Sequence, residues 1–289
     1  CGAGRATLFS YTLMRWLHFI LSHSVFISLC AVALCFQTTI LLKLPFDYML
    51  AGMVFFSTMA GYNLYWALSK YTFSRHLSLK EILAHNYSHL ILAFSGGLFL
   101  LYYLYRQPST LHFMLVAFLL TTAYSLPLWP LKFAQKFRKT GFLKTIILSF
   151  TWAYVTVIIP AIPVLKNHLA PVLVLLAARF FFMLILCLIF DVRDKEVDKI
   201  HNLHSLATDI SSSAFKKLAL LVFFGYFISG IFLRFYFSET GQVIAFSLSF
   251  LGLIAIYLLS LKKRGYVFYY FLVDGMMLFT SIASFIASL

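Results

Sequence analysis

Four of the nine carboxylates in this 289-residue chain fall within one short stretch, Phe190-Asp191-Val192-Arg193-Asp194-Lys195-Glu196-Val197-Asp198-Lys199. Asp191, Asp194 and Asp198 are spaced i, i+3, i+7, so on a helix they share one face. Three like charges on one face repel one another and need a partner of opposite sign. A hard divalent cation such as Mg²⁺, held by carboxylate oxygens and bridging to phosphate, would satisfy them. Asp191, Asp194 and Asp198 are therefore the candidate catalytic and metal-holding residues. The competing reading is a solvated helix end tied together by Asp191–Lys195 and Asp194–Lys199 pairs. A long apolar run, Leu169 to Ile189, leads directly into the cluster, and that membrane setting favours the metal.

The elements that must position this cluster are read from hydropathy. Hydrophobic residues make up 62% of the chain and charged residues 11%, and mean hydropathy is +0.91. This excludes a soluble domain and indicates an integral membrane protein. Long recurring apolar runs favour an all-α bundle over the short alternating strands of a membrane barrel. Nine apolar segments, at about 17–36, 47–69, 82–104, 109–126, 142–163, 169–190, 214–237, 241–261 and 266–288, approach the ~20 residues needed to cross a bilayer. No linker long enough for a second domain separates them, so 1–289 reads as a single transmembrane unit. Cys30, Cys35 and Cys187 lie in apolar runs without metal-ligand spacing and read as packing residues. The start, Cys1-Gly-Ala-Gly, shows no signal-peptide pattern. A lipid-bearing Cys1 would also lie outside the membrane, against the orientation that follows.

Orientation comes from Lys and Arg. Arg5, Arg15, Lys70, Arg75, Lys80, Lys132, Lys136, Arg138, Lys139, Lys144, Arg193, Lys195, Lys199, Lys216, Lys217, Lys262, Lys263 and Arg264 fall on one side, and only Lys43, Arg106, Lys166 and Arg234 on the other. The positive-inside bias puts the N-terminus and the acidic cluster in the cytoplasm. It also accounts for the net charge of +14 without nucleic acid. A bacterial inner membrane with a cytoplasmic active face is the expected location.

Nine spans with an acidic helix after the sixth resemble the UbiA superfamily of intramembrane prenyltransferases. The second Asp-rich motif of that family often reads D-x-x-D-x-E-x-D, and Asp191-Val-Arg-Asp194-Lys-Glu196-Val-Asp198 matches it. Asn202-Leu203-His204-Ser205-Leu206-Ala207 follows, with Asn202 where the family usually has Gly. The loop after span four, with Tyr124-Ser125, Lys132, Lys136 and Arg138 ahead of Gly141-Phe142-Leu143, is also similar, as is the Pro160 end of span five. The first family motif resembles N-x-x-x-D-x-x-x-D. Here Asn63 is kept, while Ala67 and Tyr71 occupy the acidic positions, and no carboxylate lies between Asp47 and Glu81.

The resemblance implies nine helices around a central cavity and prenyl transfer from a polyprenyl diphosphate to a lipophilic, aromatic acceptor. Mg²⁺ on Asp191, Asp194 and Asp198 would stabilise the departing diphosphate. The D-x-x-D-x-E-x-D form is closest to branches making quinones, tocopherol-type compounds and chlorophyll. Asn63, Lys70, Lys132, Lys136, Arg138 and Lys195 are the candidate diphosphate-binding residues, Lys70 lying on the same helical face as Asn63. A dry bundle would shield a carbocation from water, and some of the aromatic residues could face it. Because the first of the two acidic motifs, half of the expected metal cage, is missing, the rival reading is a catalytically inactive relative that binds isoprenoid lipid or serves as a membrane partner subunit. A CDP-alcohol phosphotransferase is disfavoured by the absence of a D-G-x-x-A-R element. A transporter is disfavoured by the absence of a repeated pair of broken spans.

His85, Asn86 and His89 read as polar packing at the start of span three. Arg179 and Asp274, inside spans six and nine, should both face the bundle interior. Their similar depths lead to the expectation that they pair across it.

Overall fold

In the computed structural model, residues 15–73, 87–125, 141–200, 205–237 and 239–289 are described, with backbone alone for 68–73, 197 and 199. Among the described residues all regular structure is helical. The helices are α1 (Arg15–Ser22), α2 (Val25–Leu41), α3 (Tyr48–Phe73), α4 (Tyr87–Arg106), α5 (Leu111–Ser125), α6 (Gly141–Val164), α7 (Leu169–Ile200), α8 (Leu206–Asp209), α9 (Ser212–Tyr236), α10 (Thr240–Ser260) and α11 (Phe268–Ile286). α2 packs on α3, α6 and α11, α3 on α4, α5 on α6, α6 on α7, and α7 on α9 and α10. Large apolar side chains such as Phe94, 69% exposed, cover the outside. Water would penalise such a surface, whereas lipid solvates it.

Six helices are long and apolar enough to cross a membrane: α4, α6, the Leu169–Glu196 part of α7, α9, α10 and α11. The α1–α2 pair, bent by 64°, makes seven if it is one broken span. The sequence suggested nine. Gly52, Ser57, Thr58, Gly61 and Asn63 dilute the hydropathy of α3 despite its 26 residues. The 15 residues of α5 end where the described residues end, and they reach only ~22 Å at 1.5 Å per residue.

Three irregularities shape the interior. The first expected span, 17–36, is broken at His23–Ser24, where Ser24 adopts a left-handed conformation with φ 63. The break frees the His23 carbonyl, which accepts a hydrogen bond from Asn63 Nδ2 at 3.0 Å. Second, α6 widens into a π-helical turn over Tyr154–Ile158 just before Pro160. Pro160 has no N–H for the Thr156 carbonyl, and Thr38 Oγ1 donates to that carbonyl at 2.7 Å, tying α2 to α6. Third, α11 opens with a π-helical stretch, Phe268–Val273, that ends at Asp274. Close packing also depends on one glycine. A Cβ on Gly96 of α4 would run into the Phe56 carbonyl oxygen and the Ala60 Cβ of α3, so Gly96 is what lets these two helices approach.

Candidate active site at the acidic end of α7

α7 continues without interruption from the apolar run through the acidic stretch to Ile200. No Gly or Pro interrupts the second half, and the carboxylates are carried as an extension of the helix rather than on a loop. Asp191, Asp194 and Asp198 therefore do share a helical face, but their partners differ. Asp191 Oδ2 accepts a hydrogen bond from Thr145 Oγ1 at 2.9 Å, across from α6. The Arg193 guanidinium grips Asp194, with Nε donating to Oδ1 at 2.7 Å and Nη2 to Oδ2 at 2.8 Å. Burial lifts the Asp198 carboxyl above the usual carboxylate range, opposed by the nearby Ser205 hydroxyl and by the charge of Lys144.

Lys144, adjacent to Thr145 on α6, supplies a positive charge acting on Asp191 and Asp198 and lies within electrostatic reach of Tyr65. Its ammonium lies 5.6 Å from the centre of the Tyr124 ring, and Tyr65 and Tyr124 are stacked with centroids 5.4 Å apart. A cation held between carboxylates and π-faces is favourably placed on both counts. On the other side of α7, Arg193 lies over the rings of Phe190, Tyr269 and Tyr270, at 4.7, 5.3 and 4.9 Å from their centroids. The π-helical stretch of α11 brings the neighbouring residues Tyr269 and Tyr270 to the same guanidinium.

Among the described residues no three His, Cys, Asp or Glu side chains gather into a metal-binding group. An all-protein cage of Asp191, Asp194 and Asp198 does not form, because Asp194 is occupied by Arg193. Mg²⁺ does not need such a cage, since it is commonly held by one or two carboxylates together with substrate phosphates. Asp191 and Asp198 fit that smaller role.

Asn63 is fully buried. Its amide donates to the carbonyls of His23 at 3.0 Å and Met59 at 2.8 Å, and its Oδ1 contacts His89 Nδ1. Both amide hydrogens are thereby committed to tying α3 to the α1–α2 break, and the oxygen to α4. Binding diphosphate would require Asn63 to give up these partners. His89 stacks on His23 at 4.9 Å, in keeping with polar packing. Ala67, where an acid was sought, is 7% exposed. Lys195 is half-buried on α7. Lys132, Lys136, Arg138, His85 and Asn86 lie outside the described residues, as do the side chains of Lys70 and Tyr71.

Arg179 and Asp274 are both buried, as expected for interior ionisable groups. Their pairing is not found. Arg179 Nη2 donates to Gln37 Oε1 at 2.8 Å and to the Leu34 carbonyl at 3.4 Å. Asp274 instead lies within electrostatic reach of Arg193 and Tyr62. Similar depth in two helices fixes height but not direction around each axis, and Gln37 of α2 reaches Arg179 first.

The sequence reading missed Thr145, Arg193 and Tyr65 as site residues and took Lys144 only as a topological charge. The Thr145–Asp191 contact spans 46 residues, and no local spacing encodes it. The adjacency of Arg193 and Asp194 was visible, but helical spacing alone does not indicate that they pair.

This chain has the fold of a UbiA homolog from Aeropyrum pernix K1, with 13% identity, a TM-score of 0.58, and 92% of this chain and 97% of that chain covered. It also superposes on digeranylgeranylglyceryl phosphate synthase, with 14% identity, a TM-score of 0.54, and 95% and 98% coverage. No family model and no curated protein matches the sequence. The likeness is thus one of architecture, running over nearly the whole of each chain, and it agrees with the fold that the resemblance of the acidic motif implied.

Proposed function

We propose that the chain is a nine-span membrane prenyltransferase, with its N-terminus and acidic end on the cytoplasmic side of a bacterial inner membrane. In this reading it moves a prenyl group from a polyprenyl diphosphate to a lipophilic, aromatic acceptor. The observation that carries the reading is the grouping of Asp191 and Asp198 around Lys144 at one end of an apolar bundle of UbiA architecture. In the transfer, the allylic C–O bond breaks and its electron pair leaves with the diphosphate. The acceptor then forms the new bond to the prenyl carbon and loses a proton. Lys144 offsets charge beside the leaving group, and the Thr145 hydroxyl keeps Asp191 oriented. Mg²⁺, held by Asp191 and Asp198, would neutralise diphosphate charge. Tyr62, Tyr65, Trp152 and the surrounding apolar side chains exclude water. Incubating the purified protein with Mg²⁺, labelled polyprenyl diphosphate and lipophilic phenols tests the proposal. Prenylated phenol supports it, and intact diphosphate in every reaction opposes it.

A second reading, an inactive relative that binds isoprenoid lipid, is favoured by one observation. The α3 face that bears the first acidic motif in the family carries buried Ala67 and a fully committed Asn63. Saturable binding of the diphosphate without turnover would select it.

A further inference from the structure

A cavity of about 370 Å³ lies between α7, α9 and α10, backed by α2 and α11. Arg179 lines it, twelve residues before Asp191 on the same helix, or ~18 Å away at 1.5 Å per residue. The cavity is therefore separate from the acidic site and does not depend on the function proposed for it.

Arg179 is only 4% exposed. Its Nη2 is bonded to Gln37 and to the Leu34 carbonyl, while Nη1 is buried with no hydrogen-bond partner among the described residues. The ion pairs among those residues, Lys43–Glu239 and Arg193–Asp194, both lie elsewhere. A guanidinium in this position carries an uncompensated charge in a low-dielectric setting, which is expensive unless an anion arrives. The amide and hydroxyl groups of Gln242, Ser284 and Thr280 do not fill that role, because they are neutral and already bonded to one another or to neighbouring groups. Gln242 Nε2 donates to the Ser284 carbonyl at 2.9 Å, and Ser284 Oγ donates back to Gln242 Oε1 at 2.7 Å. Thr280 Oγ1 accepts from Ser249 at 2.9 Å and from Gln37 at 3.2 Å. Tyr226 and Arg234 also line the cavity, but Tyr226 is neutral and Arg234 is exposed, so Arg179 is the buried charge with a donor to spare. The outer rim is apolar, with Phe227, Ile231 and Leu251 exposed on the bundle surface.

We infer that this cavity binds the carboxylate of a single-chain lipophilic acid, with the head on Arg179 and the hydrocarbon chain leaving between α9 and α10 into lipid. A volume of this size suits a small ligand head, and a guanidinium fork matches a carboxylate in bidentate geometry. One negative charge cancels the single buried positive charge. A phosphomonoester brings about −1.5 to −2 and would also need Arg234, which lines the cavity in the last turn of α9.

The test is equilibrium binding of labelled palmitate to the full chain in phosphatidylcholine nanodiscs. Palmitate should bind saturably and methyl palmitate should not compete. Arg179→Gln should weaken binding by roughly tenfold to a hundredfold, the value of a lost charged hydrogen bond. Because Arg179→Gln could disturb folding, Ser247→Trp serves as a second variant. Ser247 lines the cavity but is exposed on the outer surface, so the ring narrows the mouth without touching Arg179. It should abolish palmitate binding while leaving the thermal unfolding temperature unchanged. Binding that survives both substitutions, or equal competition by methyl palmitate, would overturn the inference. Preference for lysophosphatidate over palmitate would overturn the carboxylate assignment.

Discussion

The guanidinium of Arg193 holds both carboxylate oxygens of its own chain neighbour, Asp194, at 2.7 and 2.8 Å. Consecutive side chains on a helix diverge by ~100°, so this grip requires Arg193 to fold back. The rings of Phe190, Tyr269 and Tyr270 hold it there. Asp194 is thus engaged before any ligand arrives, whereas Asp191 is met by Thr145 and Lys144, and Asp198 by Lys144 with a smaller contribution from the charge of Arg193. Asp191→Asn should lower turnover by at least the ~10–100-fold typical of losing a group that merely supports a metal ligand, and Asp194→Asn by much less. Initial rates at saturating Mg²⁺ decide the matter, and equal losses would mean that Arg193 releases Asp194 during the reaction.

Thr145 orients Asp191 through a single hydroxyl. Thr145→Val keeps the shape and removes the donor, so about 1 kcal/mol of that interaction should be lost, with a several-fold drop in diphosphate affinity. Thr145→Ser should retain both. The pair of variants, titrated with a non-hydrolysable prenyl diphosphate, separates the hydroxyl from its packing. Loss of affinity in Thr145→Ser as well would point to the methyl group instead.

Asn63 joins three helices rather than facing an open site. Asn63→Leu removes the side-chain donor to the His23 carbonyl, and stability should fall by ~1–3 kcal/mol for the unsatisfied group. Thermal unfolding in detergent measures this. A variant that melts normally but no longer binds diphosphate would return Asn63 to the ligand-binding residues.

Much of this fold was legible in the sequence because hydropathy in a membrane is nearly a direct record of helices. The i, i+3, i+7 acidic face was also legible, since helical spacing is local. The break at Ser24 was not, because a serine in a left-handed conformation carries no signature of the kind glycine does. Arg179 was correctly placed in the interior, yet its partner proved to be Gln37, an uncharged residue 142 positions away. Contacts between helices depend on rotation about each axis, which the depth of a residue does not reveal.

Restoring the first motif provides a gain-of-function test. Ala67→Asp with Tyr71→Asp places carboxylates where the family resemblance expects them. Ala67 is buried, so the added charge should destabilise the metal-free protein by several kcal/mol. Mg²⁺ with diphosphate should recover that stability, and turnover should exceed that of the parent chain. A melting temperature indifferent to Mg²⁺ would mean that position 67 does not face the bound diphosphate.

The most direct measurement of the central claim is Mg²⁺-dependent release of diphosphate from labelled geranylgeranyl diphosphate, in the presence of lipophilic phenols, by the parent chain and by Asp191→Asn. The account predicts release that requires Mg²⁺, stops with chelator and falls by at least ~10–100-fold in Asp191→Asn, the loss typical of a group that only supports a metal ligand. Release equal in both proteins, or none in either with diphosphate binding unaffected by the substitution, would contradict it.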